Sequence, residues 1–265
     1  MTLLFLITVT ALGAIVGSFL NVVIHRYPLG ESIVFPASHC PHCQTVIKPW
    51  DNIPVLSWLI LLGRCRACRG PISPRYPLVE LANALFYLAI FQRTGLSWGF
   101  VPLAAIASMT ICLIFIDADI QILPDVIDLP GIAIGLGIGA LHLGATTDMV
   151  LANTFFDSLT GALLGGGILW AIALIYQLLR KVEGMGLGDV KMLAMIGAVT
   201  GWEPVLPVLF VASITGAIFG VVVALRSEAR FRVALPFGVF LGFAFFIVMF
   251  FGAPLYEWYL SLLLR

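Results

Sequence analysis

Long apolar runs alternate with short polar stretches along this chain. No Asp, Glu, Lys or Arg occurs in 1–25, 95–116, 158–179, 204–225 or 233–256. Each run supplies the ~20 residues that a helix needs to cross a bilayer. Shorter or interrupted runs at 76–92, 129–145 and 187–202 can supply three more. The pattern predicts an all-α polytopic membrane protein with about eight spans, the tail at 256–265 being readable as a surface helix.

Composition supports this class. The chain is 61% hydrophobic and 11% charged, with mean hydropathy +1.08, against about 25% charged residues in soluble domains. Net charge is zero, and no basic stripe is interleaved with aromatics, which argues against a nucleic-acid partner. No Lys or Arg precedes the first span and no small-residue cleavage site follows it, so it reads as a retained anchor. Basic residues gather in alternate loops: Arg26 with Lys48, Arg64, Arg66, Arg69 and Arg75, then Arg180, Lys181 and Lys191, then Arg226, Arg230 and Arg232. The positive-inside rule places these loops in the cytoplasm and the N-terminus outside, with Arg93 the one basic residue left outside. Gly13/Gly17, Gly131/Gly135/Gly139, Gly161/Gly165 and Gly216/Gly220 have the spacing that lets helix backbones approach closely, and are read as packing. No long internal repeat is visible, which weakens an inverted-repeat transporter reading.

The segment between the first two spans contains "CPHC" (Cys40, Cys43) and "CRAC" (Cys65, Cys68). Two C-x-x-C pairs about twenty residues apart can wrap one tetrahedral Zn²⁺ with four thiolates. The alternative is a pair of disulfides, which rarely persist in a reducing compartment. So short a segment buries little core, and a metal would contribute much of its folding free energy. His39 and His42 are read as bystanders and Cys112 as a small buried apolar residue. Four thiolates close the coordination shell, so the zinc is expected to be structural.

Chemistry must then come from elsewhere. "IDADIQILPDVID" (116–128) places four carboxylates between two apolar runs, and "EGMGLGDVK" (183–191) places Asp189 at the start of another. The stretch from Asp189 to Glu203 is too short for a span, so the helix there must begin at or before Asp189. Asp117, at the inner end of its span, reaches the same depth. Two carboxylates brought together cannot both be ionised cheaply, so such a pair shares one proton. The ionised member can deprotonate an attacking water while its partner donates to the developing oxyanion. Gly186 and Gly188 lack Cβ atoms, so an extended substrate backbone can lie close to them. The plainer reading is that glycine punctuates a helix start and that Asp189 is favoured there by the helix dipole. Asp117, near a helix C-terminus, has no such explanation.

The whole pattern resembles the type IV prepilin peptidases, the bifunctional leader peptidases and N-methyltransferases of bacterial type IV pilus and type II secretion systems, which are GxGD-type membrane aspartic proteases. The likeness rests on "GSFLNVVIHRYP" (17–28), the two cysteine pairs, "IKPWDNIPVLSWL" (47–59), "RYPLVEL" (75–81), "IDADIQILPD" (116–125), "GMGLGDVKMLAMIGA" (184–198) and "LPFGVFL" (235–241). It implies cleavage of basic leaders from prepilins or pseudopilins after Gly on the cytoplasmic side of the inner membrane. Methylation of the new N-terminal residue, usually Phe, would follow with S-adenosylmethionine. By motif, the catalytic aspartates fall on Asp117 and Asp189 and the metal ligands on Cys40, Cys43, Cys65 and Cys68. The same resemblance divides the chain into a first helix (1–25), a methyltransferase-associated zinc segment (26–75) and a membrane peptidase domain (76–265). No strand–G-x-G-x-x-G–helix unit is present, so a Rossmann cradle for the methyl donor is not supported. By resemblance, Gly63, Asn21, Arg75 and Glu80 are candidates for it. Each also has a structural reading: Gly63 in a turn, Asn21 and Arg75 holding the loop to the membrane, Glu80 paired with Arg75.

Asp119, Asp125 and Asp128 exceed what a dyad needs. They are expected to hold the basic leader, with Pro124 keeping Asp125 in the loop, or simply to solvate the loop and cap the next helix. The competing functions are an ion- or proton-coupled transporter using the acids as a relay, a non-catalytic zinc-bearing assembly factor, and a peptidase without methylation.

Overall fold

A computed structural model describes residues 3–182, 185–226 and 235–263. Glu183 and Gly184 of the "EGMGLGDVK" run, and Arg230 and Arg232 of the last basic cluster, lie outside the described residues. The regular elements are helices: α1 (Leu3–Arg26), the short α2 (Leu56–Ile60), α3 (Arg75–Thr94), α4 (Phe100–Ile120), α5 (Asp125–Ala140), α6 (Phe155–Arg180), α7 (Leu187–Thr200), α8 (Val205–Arg226) and α9 (Phe237–Leu263), with three single 3₁₀ turns. Among the described residues, five stretches are long and apolar enough to cross a membrane: Leu3–Leu29, Phe100–Ile120, Phe155–Arg180, Val205–Arg226 and Phe237–Pro254. This is a multi-pass membrane protein. Helices also form at the three shorter expected positions, α3, α5 and α7, and the backbone of α9 continues through most of the expected surface tail.

Two compact units divide the chain, Met1–Cys112 and Leu113–Arg265, and the division falls within α4. In the first unit α1 and α3 run antiparallel in close contact. A Cβ on Gly13 would sit 2.8 Å from Ala84 Cα, and one on Gly17 would sit 2.7 Å from Glu80 Cα. Only glycine permits that approach. Asn83 Nδ2 donates to the Gly13 carbonyl at 2.7 Å. The Ser108 hydroxyl donates to Asn83 Oδ1 at 2.9 Å and lies 3.1 Å from the Tyr87 hydroxyl. Buried polar groups here satisfy one another, as they must where water is scarce.

In the second unit α7 is the core. Met192, Leu193, Met195, Ile196, Ala198 and Val199 have no exposed surface. A helix that is apolar all round is stable only when surrounded. It packs on α6 through Gly161 and Gly197, whose backbones touch directly, and on α5 through Gly135 against Ala198. Gly242 of α9 admits Ile114 of α4 and Met192. Of the glycines read from the sequence as packing positions, Gly13, Gly17, Gly135, Gly161, Gly165 and Gly216 fall where helices meet. One local expectation changes: Asp125 is the first residue of α5, not a loop residue, and Pro124, in extended conformation, is its N-cap. Proline is well tolerated there because its missing N–H has no partner to lose.

Candidate functional site

The four cysteines lie on two turns with the same backbone bonds. Gln44 N–H donates to Cys40 O at 2.8 Å and Cys40 N–H to Thr45 O at 3.0 Å; Arg69 N–H donates to Cys65 O at 3.0 Å and Cys65 N–H to Gly70 O at 2.8 Å. The residue after each second cysteine is left-handed, Gln44 at φ 58° and Arg69 at φ 60°. An antiparallel bridge closes each turn, His39 with Val46 and Arg64 with Pro71. The four Sγ atoms fall within 4.8 Å of one another, with no histidine in the group. Cys40 and Cys68 Sγ are 3.8 Å apart. Thiolates about 2.3 Å from a tetrahedral metal would be separated by about 3.8 Å, so the donor set fits a metal ion. The Thr45 hydroxyl beside Cys43 pushes its thiol down to about 6 from the ordinary 9.0, and the thiolate is the form that binds metal. Arg66 grips both oxygens of Asp51, its Nη2 reaching Oδ1 at 2.6 Å, and holds that carboxyl below its usual range.

The candidates for the methyl donor are largely engaged by the protein itself. Asn21 Nδ2 donates to Tyr76 O at 3.0 Å. Glu80 Oε2 accepts the Val55 amide at 2.7 Å, and the carboxylate also bonds the Ser18 side chain. Gly63 is left-handed at φ 66°, and a Cβ on it would meet the Trp58 ring at 2.9 Å. The contacts of Asn21 and Gly63 fit the structural readings of those two residues.

The acids gather in the second unit, around the ends of α4, α5, α7 and α9. Gln121 N–H closes the last turn of α4 on Asp117 O at 2.9 Å. Gln121 itself is left-handed at φ 55°, which turns the chain toward α5. Asp117 is 3% exposed. Its Oδ2 accepts the Val239 amide at 3.0 Å, and the Gly238 amide also bonds this carboxylate. The N-terminus of α9 therefore cradles it, with unpaired amides and the positive end of the dipole aimed at an anion. A Cβ on Gly238 would lie 3.0 Å from Asp117 Oδ2 and 3.0 Å from Leu123 Cδ1. Asp189 is half-buried in the first turn of α7, within electrostatic range of Asp117. Leu123 links the two sides, because a Cβ on Gly188 would meet Leu123 Cβ at 2.8 Å. Gly188 is thus committed to packing, whereas a Cβ on Gly186 would find only Gly188 N, at 3.9 Å.

Three further acids have different surroundings. Asp119 is exposed. Asp125 is exposed and paired across to α7, with Lys191 Nζ at 2.6 and 2.7 Å from its two oxygens. Asp128 is wholly buried, and neither of its carboxylate oxygens has a hydrogen-bond partner. Of the three acids expected to face a basic leader, then, Asp119 and Asp125 are exposed residues and Asp128 is not.

Residues 11–94 match the Bacterial Peptidase A24 N-terminal domain and residues 104–221 match the Type IV leader peptidase family. A prepilin leader peptidase/N-methyltransferase of Stutzerimonas stutzeri is 35% identical over 98% of this chain and 95% of its own length. The chain belongs to the prepilin leader peptidase/N-methyltransferase family. Relatives of the same name from Pseudomonas aeruginosa, 36% identical over 98% of this chain and 94% of theirs, and Burkholderia pseudomallei, 38% identical over 92% and 85%, agree. No solved structure matches the chain. In this member of the prepilin leader peptidase family, Leu123, Gly238 and Val239 position the acids although they carry no reactive group that marks them in the sequence. The one available signal was a glycine directly after "LPF" at a helix start, where a backbone approaches a side chain.

Proposed function

We propose that this chain is a membrane aspartic endopeptidase that cuts the basic leader from type IV prepilins or pseudopilins after Gly and then N-methylates the new N-terminal residue. Full-length likeness to enzymes named for both activities supports it. The observation that carries the chemistry is that Asp117 and Asp189, at the ends of separate helices, flank Leu123: a Cβ on Gly238 would touch both Asp117 and Leu123, and one on Gly188, next to Asp189, would touch Leu123. In this reading the pair shares one proton. The ionised carboxylate takes a proton from water as the water oxygen attacks the scissile carbonyl, and the protonated one donates to the oxyanion. Collapse of the tetrahedral intermediate breaks the C–N bond, the proton passes to the departing amine, and the pair returns to its starting state. The α9 amides fix Asp117 before substrate arrives, which limits reorganisation during the step.

The transporter alternative needs acids near the bilayer midplane. Asp117, Asp125 and Asp189 instead occupy helix ends. Eight crossings, α1 and α3 to α9, put those ends and the basic residues Arg26, Arg75, Arg180 and Arg226 on one side, which the positive-inside rule makes cytoplasmic. In this reading Asp119, and Asp125 with its Lys191 partner exchanged, attract a basic leader on that side, and Gly186 offers open backbone beside Asp189.

Cys40, Cys43, Cys65 and Cys68 would hold zinc. Four thiolates would close its shell and give it a structural role. S-adenosylmethionine would supply the methyl group for the second activity. The test is reconstitution with a labelled prepilin, followed by mass measurement of the mature N-terminus. Loss of the leader mass with gain of one methyl supports both activities; loss alone removes the methyltransferase, and an unchanged prepilin removes the whole reading.

A further inference from the structure

The segment between the two cysteine turns is not built like a soluble loop. Leu56, Leu59, Ile60 and Leu62 are 56, 54, 74 and 82% exposed, an apolar face too dense for water to favour. Its depth is legible from α1 and α3. Gly17 faces Glu80 and Gly13 faces Ala84 across the helix pair, and the Val55 amide is bound by Glu80, which also bonds Ser18. Ser18 lies roughly two helical turns, about 12 Å, in from the Arg26 end of α1. A groove of about 500 Å³ continues further inward from Pro54 and Val55 between Ala14 of α1 and Ala84 of α3.

The backbone of this segment is closed on itself. Val55 sits at φ 62°, ψ −50°, in a strained three-residue turn whose Leu56 amide bonds Pro54 O at 2.6 Å. The Ile53 amide donates to Ser57 Oγ at 2.9 Å. The amides of Ser57, Leu59, Leu61, Leu62 and Gly63 donate to carbonyls within residues 53–59. Non-helical backbone survives at membrane depth only where protein satisfies its polar groups, and here the Glu80 carboxylate does so for Val55. At the segment's ends stand groups suited to an interface: Trp50, 60% exposed with Lys48 Nζ 5.4 Å over its ring, and the exposed Arg64 and Arg66.

We propose that residues 53–63 form a re-entrant segment that enters the bilayer from the Arg26 side and leaves by the same side, with Leu56, Leu59, Ile60 and Leu62 against lipid acyl chains. This rests on α1 crossing the membrane. Because Cys43 precedes the segment and Cys65 follows it, the insertion moors both cysteine turns to the membrane surface.

A photo-reactive phenylalanine placed singly at Leu59, Ile60, Arg69 or Ile15, in full-length protein reconstituted in phosphatidylglycerol–phosphatidylethanolamine vesicles, tests this. Ile15 is a 59% exposed position of α1 and reports whether α1 lies in lipid; Arg69 reports a cysteine turn outside it. The expected result is lipid adducts at Ile15, Leu59 and Ile60 at a yield about tenfold above Arg69. Adducts at Ile15 with none at Leu59 or Ile60 overturn the re-entrant segment and leave α1 as a span. Absence at all three overturns the membrane reading of α1 and the proposal with it. Cross-links from Leu59 or Ile60 to a second copy of the chain, in place of lipid, make this face a protein interface and also overturn it.

Discussion

The Val239 amide of α9 donates to Asp117 Oδ2 of α4 at 3.0 Å, so the first turn of one helix aims the carboxylate at the end of another. Gly238 makes room for that bond, and Gly188 makes room for Leu123 beneath Asp189. Gly238→Ala and Gly188→Ala should therefore each displace a carboxylate without removing it. A misplacement on the order of 1 Å lowers rate by about a hundredfold. Steady-state kinetics should show the loss in kcat with KM nearly unchanged. Full kcat in both variants would mean that this packing does not aim the acids.

Cysteine geometry predicts about one zinc per chain in purified protein. Changing Cys40, Cys43, Cys65 or Cys68 to Ser should lower zinc content, measured by elemental analysis. Since the thiolates close the shell, the loss should act through loosening of the segment, with methylation falling at least as far as cleavage. Zinc-free protein with both activities intact would contradict this.

Much of this was legible in the sequence because the signals were local. Apolar runs marked the five long helices, and paired C-x-x-C spacing marked the metal cluster. The start of α7 before Asp189 followed from span length alone. What was not legible depended on contacts between distant segments. The cradle at the start of α9 for Asp117 spans more than a hundred residues, and the Val55–Glu80 bond joins a loop to a helix. The burial of Asp128 could not be separated from the exposure of Asp125, because both are acids in one helical turn and only the packing of α5 distinguishes them.

The exposed acids lead to a salt prediction. The double variant Asp119→Asn, Asp125→Asn should raise KM several-fold for a basic-leader prepilin, each exposed contact contributing under about 1 kcal/mol. It should also flatten the dependence of kcat/KM on ionic strength while sparing kcat. An unchanged KM and salt slope would show that these carboxylates do not attract the leader.

Asp128 should behave differently. A buried carboxylate with no hydrogen-bond partner costs about 1–3 kcal/mol relative to a satisfied group. Asp128→Asn removes the ionisable group, so thermal unfolding in detergent should move to higher temperature. A lower unfolding temperature would mean that the carboxylate contributes a stabilising contact after all.

The most direct test of the aspartate pair is single-turnover cleavage of a purified prepilin by Asp117→Asn and Asp189→Asn in vesicles. An amide cannot hold the shared proton, and general acid–base catalysis contributes about 10²- to 10⁴-fold. Each variant should retain the wild-type unfolding temperature and zinc content while cleavage falls by about a thousandfold or more. Near-normal cleavage in either variant would remove that residue from the pair and contradict the account.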